Sequence, residues 1–338
     1  MADIIVSSTP TISPRVEEIP HQERMTIDQC RGSWLKAKYE RTRSNRTKQA
    51  YADYLDQFRA FLLATKHMDL DGPASIIAPV AQIWCSSNSK APGTPVASTT
   101  FRVRLSILAS FYAYAEKNEV VAVNPVKRVE PPRRIIEHAA PTMHAQKLKT
   151  DLKAIDRGTV AGQRDYALLS VALETLRRVS ELAGLCMKDI EIINEKEIIL
   201  TWRRTKGGDV LTDTLKAAAT HVLLTYLEQY YVKILGYASL QDVPGDKPVW
   251  VSLSPNNRGG ALSTRTLQRL SEEYFGSSKF HLTRRSAAVA LLRAGVPIEH
   301  ISKQLGHKSI ATTAIYLKDA VANANEYGHV LEDAFGIE

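Results

Sequence analysis

The chain has few cysteines and no long hydrophobic run. Three cysteines in 338 residues, far apart and odd in number, predict neither a disulfide framework nor a zinc site; they are Cys30, Cys85 and Cys186. No apolar run approaches the roughly 18 residues that a membrane span requires, and residues 1–20 lack the basic start and apolar centre of a signal peptide. We therefore expect reduced thiols, no membrane association and a cytoplasmic protein.

The overall composition shows no extreme that would exclude a folded protein. Hydrophobic residues make up 44% of the chain and charged residues 24%, which leaves ample apolar surface for packed cores. A length of 338 residues predicts two domains. Lys and Arg together number 44 against 36 for Asp and Glu, and this excess indicates an anionic partner, nucleic acid before an acidic membrane.

The first third of the chain predicts a helical domain over residues 25–123. Residues 1–24 show no hydrophobic period and predict a flexible tail. Apolar residues recur at intervals of three and four over 45–65 and 98–117, and shorter helices are predicted over 26–39 and 74–86. Basic residues outside the apolar stripes are candidate DNA contacts: Arg43, Arg46, Lys48, Arg102 and Arg104.

Residues 124–141 contain Asn124-Pro125, Pro131-Pro132 and two basic pairs, without a sustained period. This composition predicts an interdomain linker. The linker is either a spacer or a segment that lies along a phosphate backbone. Its basic residues Lys127 and Arg128 therefore join the candidate DNA contacts.

Residues 142–316 predict a second, mostly helical domain with one small antiparallel sheet. Helices are predicted over 164–174, 215–235, 264–274, 282–294, 297–304 and 309–316, and strands over 190–193, 197–202 and 210–212. The last two strands flank Thr205-Lys206-Gly207-Gly208-Asp209, which predicts a hairpin turn because glycine permits positive φ. Residues 317–338 have apolar residues at helical spacing, and this helix or tail packs either on its own domain or on a neighbouring protomer.

Three segments together supply what phosphoryl transfer needs: a nucleophile, an acid and cations around the phosphate. They are Glu174-Thr-Leu-Arg-Arg-Val-Ser-Glu-Leu182, His281-Leu-Thr-Arg-Arg-Ser286 and Leu305-Gly-His-Lys-Ser-Ile-Ala-Thr-Thr-Ala-Ile-Tyr316. Each segment alone is unremarkable, since a helix-surface arginine, a chance His-x-x-Arg, a helix C-cap and a half-buried tyrosine are all common. Only their conjunction and order support a functional hypothesis.

The whole set resembles the catalytic signature of the tyrosine recombinase, or phage integrase, family. Arg178-Val-Ser-Glu-Leu182 matches the family's Arg-Ile-Ser-Glu-Leu box, and His281 with Arg284 matches its His-x-x-Arg box. Leu305-Gly-His307, Thr312-Thr313 and Tyr316 match its last motif. The family commonly has Thr-Gly-Leu before its arginine, whereas this chain has Thr175-Leu176-Arg177; the register to Ser180-Glu-Leu182 favours Arg178 over Arg177 as the catalytic arginine.

The resemblance covers roughly residues 140–320 and extends more loosely to the N-terminal part, which is similar to the family's core-binding domain. It implies a mainly α fold, with a helical core-binding domain followed by a mostly helical catalytic domain containing a small antiparallel β-sheet. The implied catalytic residues are Arg178, Lys206, His281, Arg284, His307 and Tyr316, with Glu181 as the acid that braces the site. Arg285 stands where many members have a second histidine, outside the catalytic set.

The reaction that the resemblance implies is cleavage and rejoining of double-stranded DNA through a 3′-phosphotyrosyl link at Tyr316. Arg178, Arg284 and His307 would hold the phosphate, His281 would assist removal of the tyrosine proton, and Lys206 would protonate the departing 5′ oxygen. Exchange between two duplexes requires four cleavages, so a homotetramer on two DNA sites is implied, with no metal, ATP or other cofactor. A type IB topoisomerase, a DNA-binding relative without activity and a basic scaffold that binds no DNA are the alternatives.

Overall fold

The computed structural model of the chain describes residues 25–88, 94–133, 142–203 and 209–317, and the chain divides into two compact units after residue 135. The predictions for the tail 1–24, for linker residues 134–141, for Lys206 and for the segment 318–338 concern residues outside these ranges. Within the described ranges no helix is both long and apolar enough to cross a membrane, and no three His, Cys, Asp or Glu side chains are grouped to hold a metal ion.

The first unit contains four helices whose bounds follow the apolar periodicity of the sequence. They are α1 (Ile27–Thr42), α2 (Asn45–Lys66), α3 (Ala74–Ser86) and α4 (Ser98–Lys117). Thr26 caps α1 by accepting from the backbone N–H of Gln29, whose side chain accepts from Thr26 N–H in return. The buried stripes meet in a core that includes Trp34, Phe58 and Phe111.

The start of the predicted linker is part of the first unit's core. Pro125–Arg128 form a short 3₁₀ turn, which Asn124 caps by accepting from the backbone N–H of Val126. Val126 and Val129 are buried in the same core as the four helices, whereas Lys127 and Arg128 between them are exposed. The core therefore extends past residue 123, because two valines three positions apart pack inward while the basic pair points outward.

The second unit contains eight further helices and a three-stranded sheet among its described residues. The helices are α5 (Ala145–Lys153), α6 (Val160–Thr175), α7 (Val179–Ala183), α8 (Ala217–Leu227), α9 (Thr264–Phe275), α10 (Phe280–Arg293), α11 (Ile298–Leu305) and α12 (Ile310–Leu317). The strands β1 (Ile190–Asn194), β2 (Glu197–Trp202) and β3 (Leu211–Leu215) pair antiparallel in sequence order. The predicted fold class, mainly helical with a small antiparallel sheet, is confirmed.

Several elements of the second unit differ from the sequence-based expectation. The helices α5 and α7 were not predicted, because α5 buries only Leu148 and α7 is five residues long, too short for a periodic stripe. The helix predicted over 215–235 is α8 followed by a wider π-helical stretch, Glu228–Ile234. The third strand begins at Leu211, one residue later than predicted, and runs on to Leu215; Val210 before it is 59% exposed.

Two packed regions position the side chains of the three motifs. The sheet turns Leu200 and Trp202 of β2 into the main core, which also includes α6 and α8. A second cluster joins α10, α11 and α12 to the end of α6 through Leu176, Val289 and Leu305. As a result, the three motif segments converge on one side of the second unit.

Candidate active site

The first motif lies at a sharp turn between α6 and α7. Leu176 ends α6 with φ of 55°, in the left-handed region, at the position where the family commonly has glycine. Its side chain is 1% exposed and packs in the cluster of α10, α11 and α12, and this burial offsets the backbone cost. The turn makes Arg178 the residue that precedes the first turn of α7.

Glu181 braces Arg178 at two points. One carboxylate oxygen accepts from the backbone N–H of Arg178 at 2.8 Å, and the other accepts from Nη1 of its guanidinium at 2.9 Å. The Glu181 side chain is 1% exposed, whereas that of Arg178 is 28% exposed. A buried carboxylate therefore fixes the base of the arginine and leaves its far end accessible.

The second motif occupies the first turns of α10. Three residues separate His281 from Arg284, so both side chains lie on one face of the helix, as predicted. Arg284 is 2% exposed, and its Nη2 donates to the backbone carbonyl of Leu305. Its Nε and Nη1 are buried without a hydrogen-bond partner among the described residues. Two strong donors thus remain available for a ligand.

The third motif begins at the end of α11. Gly306 adopts φ of 60°, in the left-handed region that favours glycine, and a Cβ at this position would lie 2.9 Å from Cδ1 of Leu211. The turn directs His307 toward α12, where its Nδ1 lies 2.8 Å from Oγ1 of the fully buried Thr313. This hydrogen bond fixes the orientation of the imidazole ring.

Tyr316 lies on α12 between the two histidines. Its ring centroid is 5.1 Å from that of His281 and 5.7 Å from that of His307, both in edge-to-face geometry. The guanidinium carbon of Arg285 lies 5.7 Å from the same ring. The Tyr316 hydroxyl is buried, with no hydrogen-bond partner among the described residues.

Burial and neighbouring cations shift the protonation of these groups. Burial lowers the pKa of His307 to about 4, assisted by the charges of Arg284 and Arg178. Desolvation, followed by the same arginines, also lowers the pKa of His281, so both imidazoles are neutral at pH 7. Burial raises the pKa of Tyr316, and the nearby guanidinium of Arg284 opposes this effect.

Arg284 retains its charge in spite of burial. Desolvation, with the charge of Arg178 as the second cause, lowers its pKa to about 10. At pH 7 the guanidinium is therefore still protonated. A buried cation with two unpaired donors is an unfavourable arrangement that an anionic ligand would relieve.

The two adjacent arginines of the first motif have different surroundings. Arg177 is 2% exposed, and its Nε and Nη2 both donate to the carboxylate of Asp213 at 2.6 Å. Arg178 is the more accessible of the two and is held by Glu181. This difference supports the sequence register in which Arg178 is the catalytic residue.

A cleft of about 220 Å³ is lined by residues of the first two motifs, including Arg177, Arg178, Ser180, His281 and Arg284. A larger apolar groove of about 650 Å³ along α5, α6 and α10 has none of the predicted catalytic residues in its lining. The smaller cleft is therefore the candidate site, because cations and a histidine converge there. Lys206, the remaining predicted catalytic residue, lies outside the described residues.

The candidate DNA contacts of the first unit differ in accessibility. Arg43, Arg46, Lys48, Lys127 and Arg128 are exposed, although Lys127 pairs with Glu116 at 2.9 Å. Arg102 is half-buried and donates to the carbonyl of Pro132. Arg104 is half-buried against the Trp84 ring and donates to the carbonyls of Trp84 and Ser87, so its guanidinium already has partners within the fold.

Three residues with a clear place in the site were not assigned a role from the sequence. Thr313 orients His307, and Asp213 pairs with Arg177. Arg285, which was placed outside the catalytic set, packs on the ring of Tyr316. Asp213 did carry a signal, because Leu211, Asp213 and Leu215 share one face of β3 and an acid on an inward face requires a partner.

The sequence profile described as the phage integrase family matches residues 141–323, which is more than half of the chain. The chain belongs to the phage integrase family. This result confirms the resemblance inferred from the three motifs.

Curated relatives of this integrase-family chain are named tyrosine recombinase XerC. The protein of Thermodesulfovibrio yellowstonii is 29% identical over 293 residues, which span 82% of this chain and 87% of the relative. The protein of Lacticaseibacillus casei is 26% identical over 302 residues, spanning 85% and 93% respectively. The similarity therefore extends into the first unit, beyond the match to the family profile.

Solved structures of similar fold include two recombinases bound to DNA. A XerH site-specific recombinase in a post-cleavage complex with its difH substrate superposes with a TM-score of 0.64 at 17% identity, covering 90% of this chain and 84% of that chain. A lambda integrase tetramer bound to a Holliday junction gives a TM-score of 0.62 at 17% identity, covering 90% and 81%. At this identity the likeness concerns the fold.

Proposed function

We propose that this chain is a site-specific tyrosine recombinase that cleaves and rejoins double-stranded DNA, with Tyr316 as nucleophile. The observation that carries the proposal is the convergence of Tyr316 with two histidines and with a buried arginine that has two unpaired donors. Membership of the phage integrase family and relatives named tyrosine recombinase support the reaction class. No observation favours the topoisomerase alternative.

The scissile phosphate would bind in the cleft between Arg178 and Arg284. Each guanidinium offers planar N–H donors that suit the nonbridging oxygens of a phosphodiester. Nε and Nη1 of Arg284 have no hydrogen-bond partner among the described residues, and Arg284 lines the cleft, so both donors could bind the phosphate. Their charge would stabilise the negative charge that grows on the pentacoordinate transition state.

His307 would donate a third hydrogen bond to the same phosphate. Because its pKa is near 4, the imidazole is neutral at pH 7 and carries one N–H. When the Thr313 hydroxyl donates to Nδ1, that proton resides on Nε2, which then serves as the donor. Thr313 would thus select the tautomer that the reaction requires.

Cleavage would proceed by in-line attack of the Tyr316 oxygen on phosphorus. The P–O bond to Tyr316 forms while the bond to the 5′ oxygen breaks, so the free 5′ hydroxyl and a 3′-phosphotyrosyl link are the products. Neutral His281, beside the Tyr316 ring, would assist removal of the phenolic proton. Lys206 would supply the proton to the 5′ oxygen, as the family resemblance implies.

Rejoining is the reverse reaction, with a 5′ hydroxyl of another duplex as the attacking group. The phosphotyrosyl link retains the energy of the phosphodiester, so the exchange needs neither ATP nor a bound metal. Four strands are cut when two duplexes exchange, and we therefore propose a homotetramer on two DNA sites. The lambda integrase tetramer on a Holliday junction is consistent with this arrangement for a protein of the same fold.

A covalent-trapping experiment tests the proposal. Selection of a random duplex pool on the native protein would supply its binding site, and that site, nicked at successive positions, would serve as a suicide substrate that releases the 5′ end after cleavage. We expect a DNA–protein product that survives denaturing electrophoresis, with the nucleotide attached to the peptide that contains Tyr316. A covalent product on any other peptide, or none at any nick position, contradicts the proposal.

A further inference from the structure

The buried arginine next to Arg178 belongs to a hydrogen-bonded network that the proposed chemistry does not use. Nε and Nη2 of Arg177 donate to the two carboxylate oxygens of Asp213, each at 2.6 Å. The Trp202 indole N–H donates to the same carboxylate at 2.7 Å, and the Arg177 guanidinium carbon lies 5.8 Å from the Trp202 ring centroid. The network therefore joins the first motif to β2 and β3.

The same guanidinium also borders the turn before His307. Its Nη1 is buried without a partner among the described residues and lies 3.6 Å from the point where a Cβ on Gly306 would be. Arg177 is bonded to Arg178 on one side, and Gly306 is bonded to His307 on the other. Arg177 is thus bonded to one proposed phosphate-binding residue, and its guanidinium lies beside the residue that precedes the other.

Stability alone does not explain a buried pair at this position. Removing an arginine and a carboxylate from water costs several kcal/mol each, and apolar residues of similar volume often replace such pairs without loss of stability. A bidentate pair does, however, fix both distance and orientation, which an apolar contact does not. Glu181 holds Arg178 from the C-terminal side, and Arg177 is the corresponding restraint on its N-terminal side.

Resting on the proposed recombinase function, we propose that Arg177, paired with Asp213, is a positioning residue that holds Arg178 and His307 in register around the scissile phosphate. Arg177 also lines the cleft, but it does not contact the phosphate in this proposal, because Nε and Nη2 are held by Asp213 and Nη1 lies beside Gly306. The role belongs to this chain's own departure from the family motif, in which Arg177 follows Leu176 where Gly-Leu is common.

The decisive variant is Arg177→Met combined with Asp213→Leu, which replaces the ion pair by an apolar pair. We expect this double variant to remain folded, with its unfolding temperature lowered only because the Trp202 indole N–H loses its partner, but to form the covalent product about 100-fold more slowly, the scale expected for misplacement by about 1 Å. Asp213→Asn alone should be similarly slow.

If the ion pair has only a structural role, the double variant should be more stable than the single variants and should form the covalent product at the native rate. If Arg177 instead contacts the phosphate directly, the Asp213→Asn variant should form the covalent product at nearly the native rate.

A substrate in which a methyl group replaces one nonbridging oxygen adds a second readout. Its neutral phosphate needs less cationic stabilisation, so Arg178→Ala should be less impaired on it than on the natural diester, and the Arg177 and Asp213 variants should follow the same pattern. Equal impairment of these variants on both substrates overturns the positioning role. Asp165→Asn is the control, because Asp165 pairs with Arg164 in a buried site away from the motifs; it should show no such preference.

Different experimental results would contradict the proposed function and the positioning role of Arg177. Absence of a covalent product with the native protein, or Arg178→Ala equally slow on both substrates, contradicts the proposed function and with it the positioning role. A native product together with a fast double variant contradicts only the positioning role of Arg177.

Discussion

The rings of Tyr316 and His307 meet edge to face, with their centroids 5.7 Å apart and their planes at 88°. The two residues lie nine positions apart in the sequence, and the turn at Gly306 followed by α12 brings them into contact. Because Nδ1 of His307 is occupied by Thr313, Nε2 is the ring nitrogen left for the proposed bond to the phosphate. The proposed nucleophile and the proposed phosphate ligand therefore already lie in contact in the DNA-free protein.

Tyr316→Phe should abolish the covalent product and leave DNA binding intact. The Tyr316 hydroxyl is buried without a partner in the described part of the chain, so its removal should lower neither the unfolding temperature nor the packing of α12. Denaturing gels with the suicide duplex should show free DNA, whereas native gels should still show a shifted complex. Tyr166→Phe is the matched control, since Tyr166 is also half-buried with an arginine over its ring. A covalent band with Tyr316→Phe would identify a different nucleophile.

Thr313→Val should slow cleavage through loss of the orientation of His307. Valine preserves the volume of the fully buried threonine but leaves Nδ1 of His307 without its partner at 2.8 Å. A lost buried hydrogen bond of about 1 to 2 kcal/mol corresponds to a rate roughly tenfold lower. The neighbouring Thr312 is exposed, so Thr312→Val should retain the native rate of covalent-product formation. Equal rates for the two variants would contradict the role of Thr313.

Local apolar periodicity accounts for most of the fold that could be predicted. The long helices α2 and α4 have one buried stripe each, and their predicted bounds lie within one residue of the observed ones. The helix α5 escaped prediction because its burial rests on Leu148 alone, and the π-helical stretch after α8 keeps the apolar pattern of an ordinary helix. Such features depend on tertiary packing, which periodicity does not report.

The candidate site also contains some residues that the sequence identifies and others that it does not. The motif residues Arg178, His281, Arg284, His307 and Tyr316 were identified by their order along the chain, and their roles are still predictions. The pairing of Arg177 with Asp213 could not be read from the sequence, because 36 residues separate the partners and their contact depends on the packing of the sheet against the turn after α6. A polar pair between residues far apart in the chain leaves no periodic pattern in the sequence.

Acidification should destabilise the DNA-free protein through His307. Its folded-state pKa of about 4 lies below the ordinary value of 6.5, so the unfolded chain binds more protons between these values. The stabilising contribution of the neutral ring is therefore fully present above about pH 6.5 and is lost as pH falls toward 4. Denaturant titrations at several pH values should show a shallower decline for His307→Gln than for the native protein. An unchanged decline would indicate that His307 does not titrate in this way.

Lys206→Ala should slow cleavage without weakening DNA binding. If this lysine donates the proton to the 5′ oxygen, then replacement of that oxygen by sulfur, a better leaving group, should restore the rate of the variant. The matched control is Lys188→Ala, a lysine of the same unit outside the three motifs, which should be unaffected on either substrate. A Lys206→Ala protein equally slow with oxygen and sulfur would exclude this residue as the acid.

DNA affinity should fall steeply with salt, because the proposed contacts are made by exposed basic side chains. Arg46 and Lys48 lie in the first turn of α2 and are both exposed, and that turn contains no acidic residue to neutralise them. Each lost phosphate contact reduces the slope of log affinity against log salt by about 1, so Arg46→Gln and Lys48→Gln should each flatten the response by that amount. Lys36 is an exposed lysine on α1 outside the predicted contacts, so Lys36→Gln should leave the slope unchanged.

Filter binding between about 50 and 200 mM salt measures this slope, and several phosphate contacts imply a loss of affinity by orders of magnitude over that range. A flat response of the native protein would contradict electrostatic binding altogether, whereas a native slope retained by Arg46→Gln would remove only that residue from the interface.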